Sequence, residues 1–199
     1  MIRLMRRRIA NLLLWLIGWK PEGSAPAQAK CIVIAAPHTS NWDFVLMLLF
    51  SYHFGVRMQW MGKHSLFHGP MGWLMRRLGG IAIDRRSQNN VVQQMAEEFN
   101  RASSLCVVIP PEGTRGYTSY WKSGFYHIAA AAGVPIVLGH LDYQRKVGGL
   151  GVAVWPSGDV QGDMDRIRNY YSQCAGRFPH LFGPVRLRDE EGMVEEPAA

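Results

Sequence analysis

His38 and Asp43 stand five positions apart in the stretch Pro37-His38-Thr39-Ser40-Asn41-Trp42-Asp43. An imidazole with one ring nitrogen held by a carboxylate keeps a fixed tautomer, and its other nitrogen is left to take a proton. The spacing therefore reads as a dyad for general-base chemistry, His38 the base and Asp43 its orienting group. A plainer reading makes Asp43 a helix-start carboxylate favoured by the helix dipole and His38 a loop residue. A second cluster, Pro110-Pro111-Glu112-Gly113-Thr114-Arg115-Gly116, carries complementary chemistry. Gly113 permits close backbone approach or a positive φ. Thr114 supplies a hydroxyl and Arg115 a planar fork that matches a phosphate. Glu112 suits either Arg115 or a loop amide. Taken alone, this cluster is a tight turn with one surface ion pair.

The elements around the clusters decide between these readings. Each cluster follows an apolar run of strand length, residues 30–36 and 104–110. In open α/β sheets ligands sit beyond the carboxyl ends of the strands, so two such clusters at two strand ends favour one shared site. Strand and helix patterns alternate from residue 30 onward. Helical stretches cover 41–54, 69–80, 89–102 and 123–133, and strands cover 57–61, 81–83 and 134–139. The alternation implies an α/β fold with a largely parallel central sheet flanked by helices. Residues 146–155 read as a hairpin around Gly148-Gly149, and 165–176 as a last helix ended by Gly176.

Composition narrows the function classes. A chain of 199 residues with 48% apolar content suits one globular domain. Cys31, Cys106 and Cys174 lie far apart without a CxxC pair, which points to reduced thiols rather than a disulfide or zinc site. His64 and His68 have metal-ligand spacing on a helix, but Gly62 and Gly69-Pro70 bound any helix there and no third ligand is in view. Ser40 lacks a G-x-S-x-G elbow and reads as a helix cap, not a nucleophile. The net charge is +7, and the last eleven residues hold five of the fifteen acids and no base, so residues 1–188 carry 22 bases against 10 acids. Such a body attracts polyanions: nucleic acid, an anionic membrane or phosphorylated small molecules. Residues 189–199 read as an acidic disordered tail.

The N-terminal twenty residues place Arg3, Arg6, Arg7, Arg8 and Lys20 around the apolar run Ile9–Trp19. The run is shorter than the ~20 residues of a spanning helix. Ala27-Gln28-Ala29 resembles a signal cleavage site, but Lys20 and Glu22 put charge where that signal stays neutral. The segment 1–20 is expected to be a membrane-interfacial helix with Trp15 and Trp19 at its end. The alternative is an ordinary helix docked on the domain 30–188.

With these residues in place the chain resembles the glycerolipid acyltransferase family. His38 and Asp43 match its H-x4-D motif. Gly62-Lys63, Leu66, Phe67, Pro70 and Gly72, closing with Gly80 to Arg85, match its second motif. Pro111 to Arg115 match its P-E-G-T-R, Lys122-Ser123-Gly124 the K-x-G that commonly follows, and Val134–Val137 its V-P-I-V strand. Four motifs in order over about residues 30–140 are a specific pattern. Pro37 stands where the family often has Asn and Leu138 where it often has Pro, differences that bear on the acyl acceptor.

The resemblance implies that an acyl group moves from a thioester, acyl-CoA or acyl-carrier protein, to a lysophospholipid hydroxyl. The simplest acceptor is 1-acyl-glycerol-3-phosphate. His38 and Asp43 are the expected catalytic pair. Glu112, Gly113, Thr114, Arg115, Arg85 and Lys63 are the expected phosphate site, Lys63 being either a phosphate contact or a solvated side chain. No metal or organic cofactor and no nucleic acid is expected. The expected place is peripheral, on the cytoplasmic face of the inner cell membrane. The rival readings are an acyltransferase for another lipid acceptor, a hydrolase of lipid esters and a non-catalytic basic lipid- or nucleic-acid-binding module.

Overall fold

The structure, a computed structural model, describes residues 2–83, 88–188 and 190. Seven strands form one sheet: β1 (Lys20–Gly23), β2 (Lys30–Ala36), β3 (Met58–Lys63), β4 (Gly80–Ile83), β5 (Leu105–Ile109), β6 (Ile136–Asp142) and β7 (Val147–Val154). Their order is β1-β7-β6-β2-β5-β3-β4, and only the β6–β7 pair is antiparallel. The helices are α1 (Ile2–Leu16), α2 (Trp42–Phe54), α3 (Gly69–Arg77), α4 (Gln88–Arg101), α5 (Gly124–Ala132) and α6 (Val160–Tyr171). The expected α/β architecture with a largely parallel sheet is the one observed.

The central strands are apolar on both sides because both sheet faces are covered. Ile32, Ile34, Val107 and Ile136 point into one core, with Met95 and Phe99 of α4, Phe125 and Ile128 of α5 and Met164 and Ile167 of α6. Cys31, Val33, Cys106, Val108 and Val137 point the other way, where Met47 and Phe54 of α2 pack on them. Cys31 and Cys106 are register partners on β2 and β5, and all three cysteines are free thiols.

Several boundaries differ from the sequence expectation. Gly148-Gly149 is no turn: β7 runs unbroken through it, and the hairpin closes at residues 143–146. The glycines serve close approach instead. A Cβ on Gly149 would lie 1.7 Å from the Glu22 carbonyl oxygen of β1, and one on Gly148 2.5 Å from the Phe50 ring. The last helix begins at Val160, where the Asp159 side chain accepts from Gly162 N–H, and ends at Tyr171, before Gly176. Lys20 belongs to β1, so the N-terminal helix is shorter than 1–20. Glu190 does not behave as free tail: its carboxylate accepts from Leu187 N–H and from Arg168, each at 2.5 Å. Residues 189 and 191–199 lie outside the described residues.

Candidate active site

β2 and β5 are neighbours in parallel register, Ile34 opposite Ile109, so the loops that leave their carboxyl ends start side by side. This brings the two polar clusters together. The stitch between them is direct: His38 N–H donates to Glu112 Oε1 at 2.7 Å. Thr39 Oγ1 accepts from Phe178 N–H at 3.2 Å and pins the same loop to the segment after α6.

Asp43 lies in the first turn of α2 and is 5% exposed. A buried carboxylate needs hydrogen-bond donors, and Asp43 has three. Oδ2 accepts from Ser40 N–H at 2.9 Å and from His38 Nδ1–H at 3.1 Å. Oδ1 accepts from the Tyr143 hydroxyl at 2.5 Å. The Nδ1 contact leaves His38 Nε2 as the nitrogen available to the cleft that His38 lines. Ser40, expected as the helix cap, is not the cap residue: Asn41 takes that position without a side-chain cap bond, and Ser40 Oγ accepts from Trp42 N–H at 3.2 Å in the loop before it.

Glu112 resolves differently from its expected place in the phosphate site. It is 2% exposed and turned toward the His38 amide, with Oε2 buried and without a hydrogen-bond partner among the described residues. Burial raises its carboxyl to about 7, against the lowering effect of the His38 amide bond. Glu112 thus supports the loop from beneath, the loop-amide alternative, and offers no cation to a phosphate. Gly113, Thr114 and Arg115 do line the cleft and are exposed. Gly113 has φ +68°, and a Cβ there would lie 2.7 Å from Lys122 Cε. Lys122 therefore folds over the glycine and adds a second cation to Arg115 on the same wall. Lys63 ends β3, in sequence 25 residues beyond His38, and its side chain lies outside the described part. Arg85 lies outside the described residues.

The cleft is open and measures about 2570 Å³. Its apolar lining includes Phe44, Met47, Trp60, Met61 and Met75, with Met47 and Met61 on opposite faces of the sheet. Of the large apolar residues between 60 and 75, Phe67 is buried, while Leu66, Met71 and Trp73 are exposed. Among the described residues no group of three His, Cys, Asp or Glu side chains is placed to hold a metal ion.

Sequence reasoning missed Tyr143 and Lys122 as site residues. A signal for Tyr143 existed. It directly follows β6, which runs parallel to β2, so the strand-end rule that picked out His38 applies to it as well. For Lys122 the signal was the motif itself, Lys122-Ser123-Gly124 before α5.

Comparison with known proteins gives the family. An acyltransferase family model matches residues 20–137. A 1-acyl-sn-glycerol-3-phosphate acyltransferase of Escherichia coli is 32% identical, the match covering 90% of this chain and 81% of that protein. One from Haemophilus influenzae is 33% identical over 61% of this chain and 53% of its own length, so the chain spans about half of that relative. The crystal structure of the 1-acyl-sn-glycerophosphate acyltransferase of Thermotoga maritima superposes with a TM-score of 0.58 at 17% identity. That match covers 85% of this chain and 78% of the other, and it shows a shared fold. The chain belongs to the acyltransferase family.

Proposed function

We propose that the protein transfers a fatty acyl group from a thioester, acyl-CoA or acyl-carrier protein, to the free hydroxyl of a lysophospholipid, most simply 1-acyl-glycerol-3-phosphate. The observation that carries this reading is the His38–Asp43 pair at 3.1 Å, set beside the Thr114–Arg115 loop at the mouth of one cleft. His38 Nε2 takes the hydroxyl proton as the acceptor oxygen attacks the thioester carbonyl. Collapse of the adduct breaks the C–S bond, and the proton on His38 passes to the departing thiolate. Asp43 holds Nδ1–H throughout and offsets the charge on the ring. The acceptor is the nucleophile, so no acyl-enzyme forms. Arg115 and Lys122 hold the acceptor phosphate. Met47, Met61 and Met75 give the cleft a pliable apolar lining suited to acyl chains. The chemistry requires no metal or organic cofactor.

The same proposal places the enzyme on a membrane surface. No described helix is long and apolar enough to cross a membrane. α1 docks on α2 by a narrow stripe: Ala10 and Leu14 are buried, His53 Nδ1–H donates to Asn11 Oδ1 at 2.7 Å, and Arg3 donates to the Gly55 carbonyl. On its other side Met5, Ile9, Leu12 and Leu16 recur at helical spacing and are 50–62% exposed. Arg6 and Arg8 are exposed beside that apolar row. An apolar row flanked by cations fits an anionic lipid interface. Trp42 and Val45, exposed in the turn that carries Asp43, set apolar surface next to the dyad.

The test is to incubate the purified protein with labelled acyl-CoA or acyl-carrier protein and a panel of lysolipids. Thiol release that depends on lysophosphatidic acid, with a labelled diacyl product, is the expected result. Label released to water without any acceptor would show a hydrolase instead.

A further inference from the structure

We propose that Tyr143 is a positioning residue for the dyad, holding the outer oxygen of Asp43 so that the inner one faces His38. The inference rests on the dyad reading above. The Asp43 carboxylate is held at Oδ2 by two donors, and a fixed second oxygen sets its rotation about the Cβ–Cγ bond from both ends. Tyr143 supplies that fixing point: its hydroxyl donates to Oδ1 at 2.5 Å, while Ser40 N–H and His38 Nδ1–H occupy Oδ2.

The tyrosine is itself held from several sides. It directly follows β6, and its N–H donates to the Ala175 carbonyl at 2.9 Å. The turn beyond it is tied by Asp142, which is 1% exposed and accepts from Gln144 N–H at 2.9 Å and from Arg145 Nε at 2.7 Å. Its ring packs edge-on against Trp19, centroids 4.9 Å apart at 88°. Trp19 is 7% exposed and lies against Leu14 of α1 and Leu46 and Phe50 of α2. Lys20 N–H donates to the Lys146 carbonyl at 2.9 Å, which binds the hairpin to the start of β1. Burial and the Asp43 carboxylate both push the Tyr143 hydroxyl well above its ordinary range, so it remains a donor at every physiological pH. The segment that follows α1 thus sets the rotamer of the group that orients the base.

Tyr143→Phe keeps the ring on Trp19 and removes only the hydroxyl. The expected outcome is a fall in kcat of about 10–150-fold, the loss of one hydrogen bond to a charged group. KM for both substrates should stay within about twofold, since the ring touches neither the phosphate loop nor the apolar lining. A purely structural tyrosine predicts a lower melting temperature with kcat unchanged while the variant is folded and overturns the proposal, as does a variant with wild-type kcat. His38→Ala is measured beside it. If His38→Ala keeps its activity, the dyad reading fails and Tyr143 with it. If His38→Ala is inactive while Tyr143→Phe matches wild type, the Tyr143 inference alone fails.

Discussion

The His38 loop and the outer face of α1 answer opposite requirements within one chain. Asp43 is 5% exposed and takes three donors from inside the protein, from Ser40, His38 and Tyr143. Met5, Ile9, Leu12 and Leu16 are large, apolar and at least half exposed, although α1 is already docked through Ala10 and Leu14. A catalytic base gains from being over-determined, because each fixed neighbour removes a wrong orientation before the substrate arrives. A membrane-facing row gains from being unsatisfied in water, because the free energy of its burial is then available to the lipid interface. The two regions are joined at Trp19, which ends the N-terminal segment and packs on Tyr143.

That junction changes which variants separate the two regions. Deleting residues 1–20 removes the exposed apolar row of α1, but it also removes Leu14, Trp19 and the first residue of β1. Point substitutions are cleaner. The largest expected effect is on the dyad side. Asp43→Asn keeps the shape and loses the carboxylate, so turnover should fall by roughly 10²–10⁴-fold. Vesicle binding should stay at the wild-type level, as a co-sedimentation assay would read directly.

On the membrane side, Ile9→Ser with Leu12→Ser removes two apolar side chains from the outer row and leaves the docked stripe intact. Each is worth about 1–2 kcal/mol when half to fully buried in the interface. Partition onto anionic vesicles should drop about 30–700-fold. Turnover on a short, water-soluble acceptor should hold. A loss of that turnover in step with binding would show that the outer row acts on the site itself.

A third prediction probes the support beneath the loop. Burial raises Glu112 from 4.5 to about 7. A raised folded-state value means its contribution to stability is full below pH 4.5 and is lost as pH rises through about 7. Glu112→Gln keeps an oxygen for the His38 amide and cannot ionise. Thermal unfolding followed at pH 5 and pH 8 should show a smaller drop for the variant, a difference of about 1–3 kcal/mol. Equal drops would mean that Glu112 ionises without cost.

The smallest effect is expected at the phosphate loop. Arg115→Lys retains the charge and loses the planar fork, so the acceptor KM should rise about tenfold with kcat little changed. A rise in the donor KM alone would move Arg115 to the thioester side of the cleft.

The residues that were legible in sequence share a physical reason. β2, β5 and β6 are buried on both faces, so their apolar runs are continuous, and the polar clusters after β2 and β5 stand out against them. Lys20-Pro21-Glu22-Gly23 carries no such pattern. It becomes a strand only because β7, more than 120 residues away, offers a parallel edge, where a proline lacking a donor is tolerated. Gly148-Gly149 read as a turn because glycine pairs usually mark one, whereas here they admit the β1 backbone and the Phe50 ring. Tyr143 lies 100 residues beyond Asp43, and only the sheet order brings the two together. Glu112 stays open in sequence between Arg115 and a loop amide, because burial is not readable from a five-residue motif; the structure buries it against the His38 amide.

The account's central claim is that His38 is the base that activates the acceptor. The most direct measurement is thiol release from acyl-CoA by wild type and by His38→Ala, each with lysophosphatidic acid, alongside the melting temperature of both proteins. The account predicts a variant that folds and melts as wild type does, since His38 lies on a loop mouth rather than in the core, with turnover reduced by roughly 10²–10⁴-fold. A folded His38→Ala protein that releases thiol at the wild-type rate would contradict it.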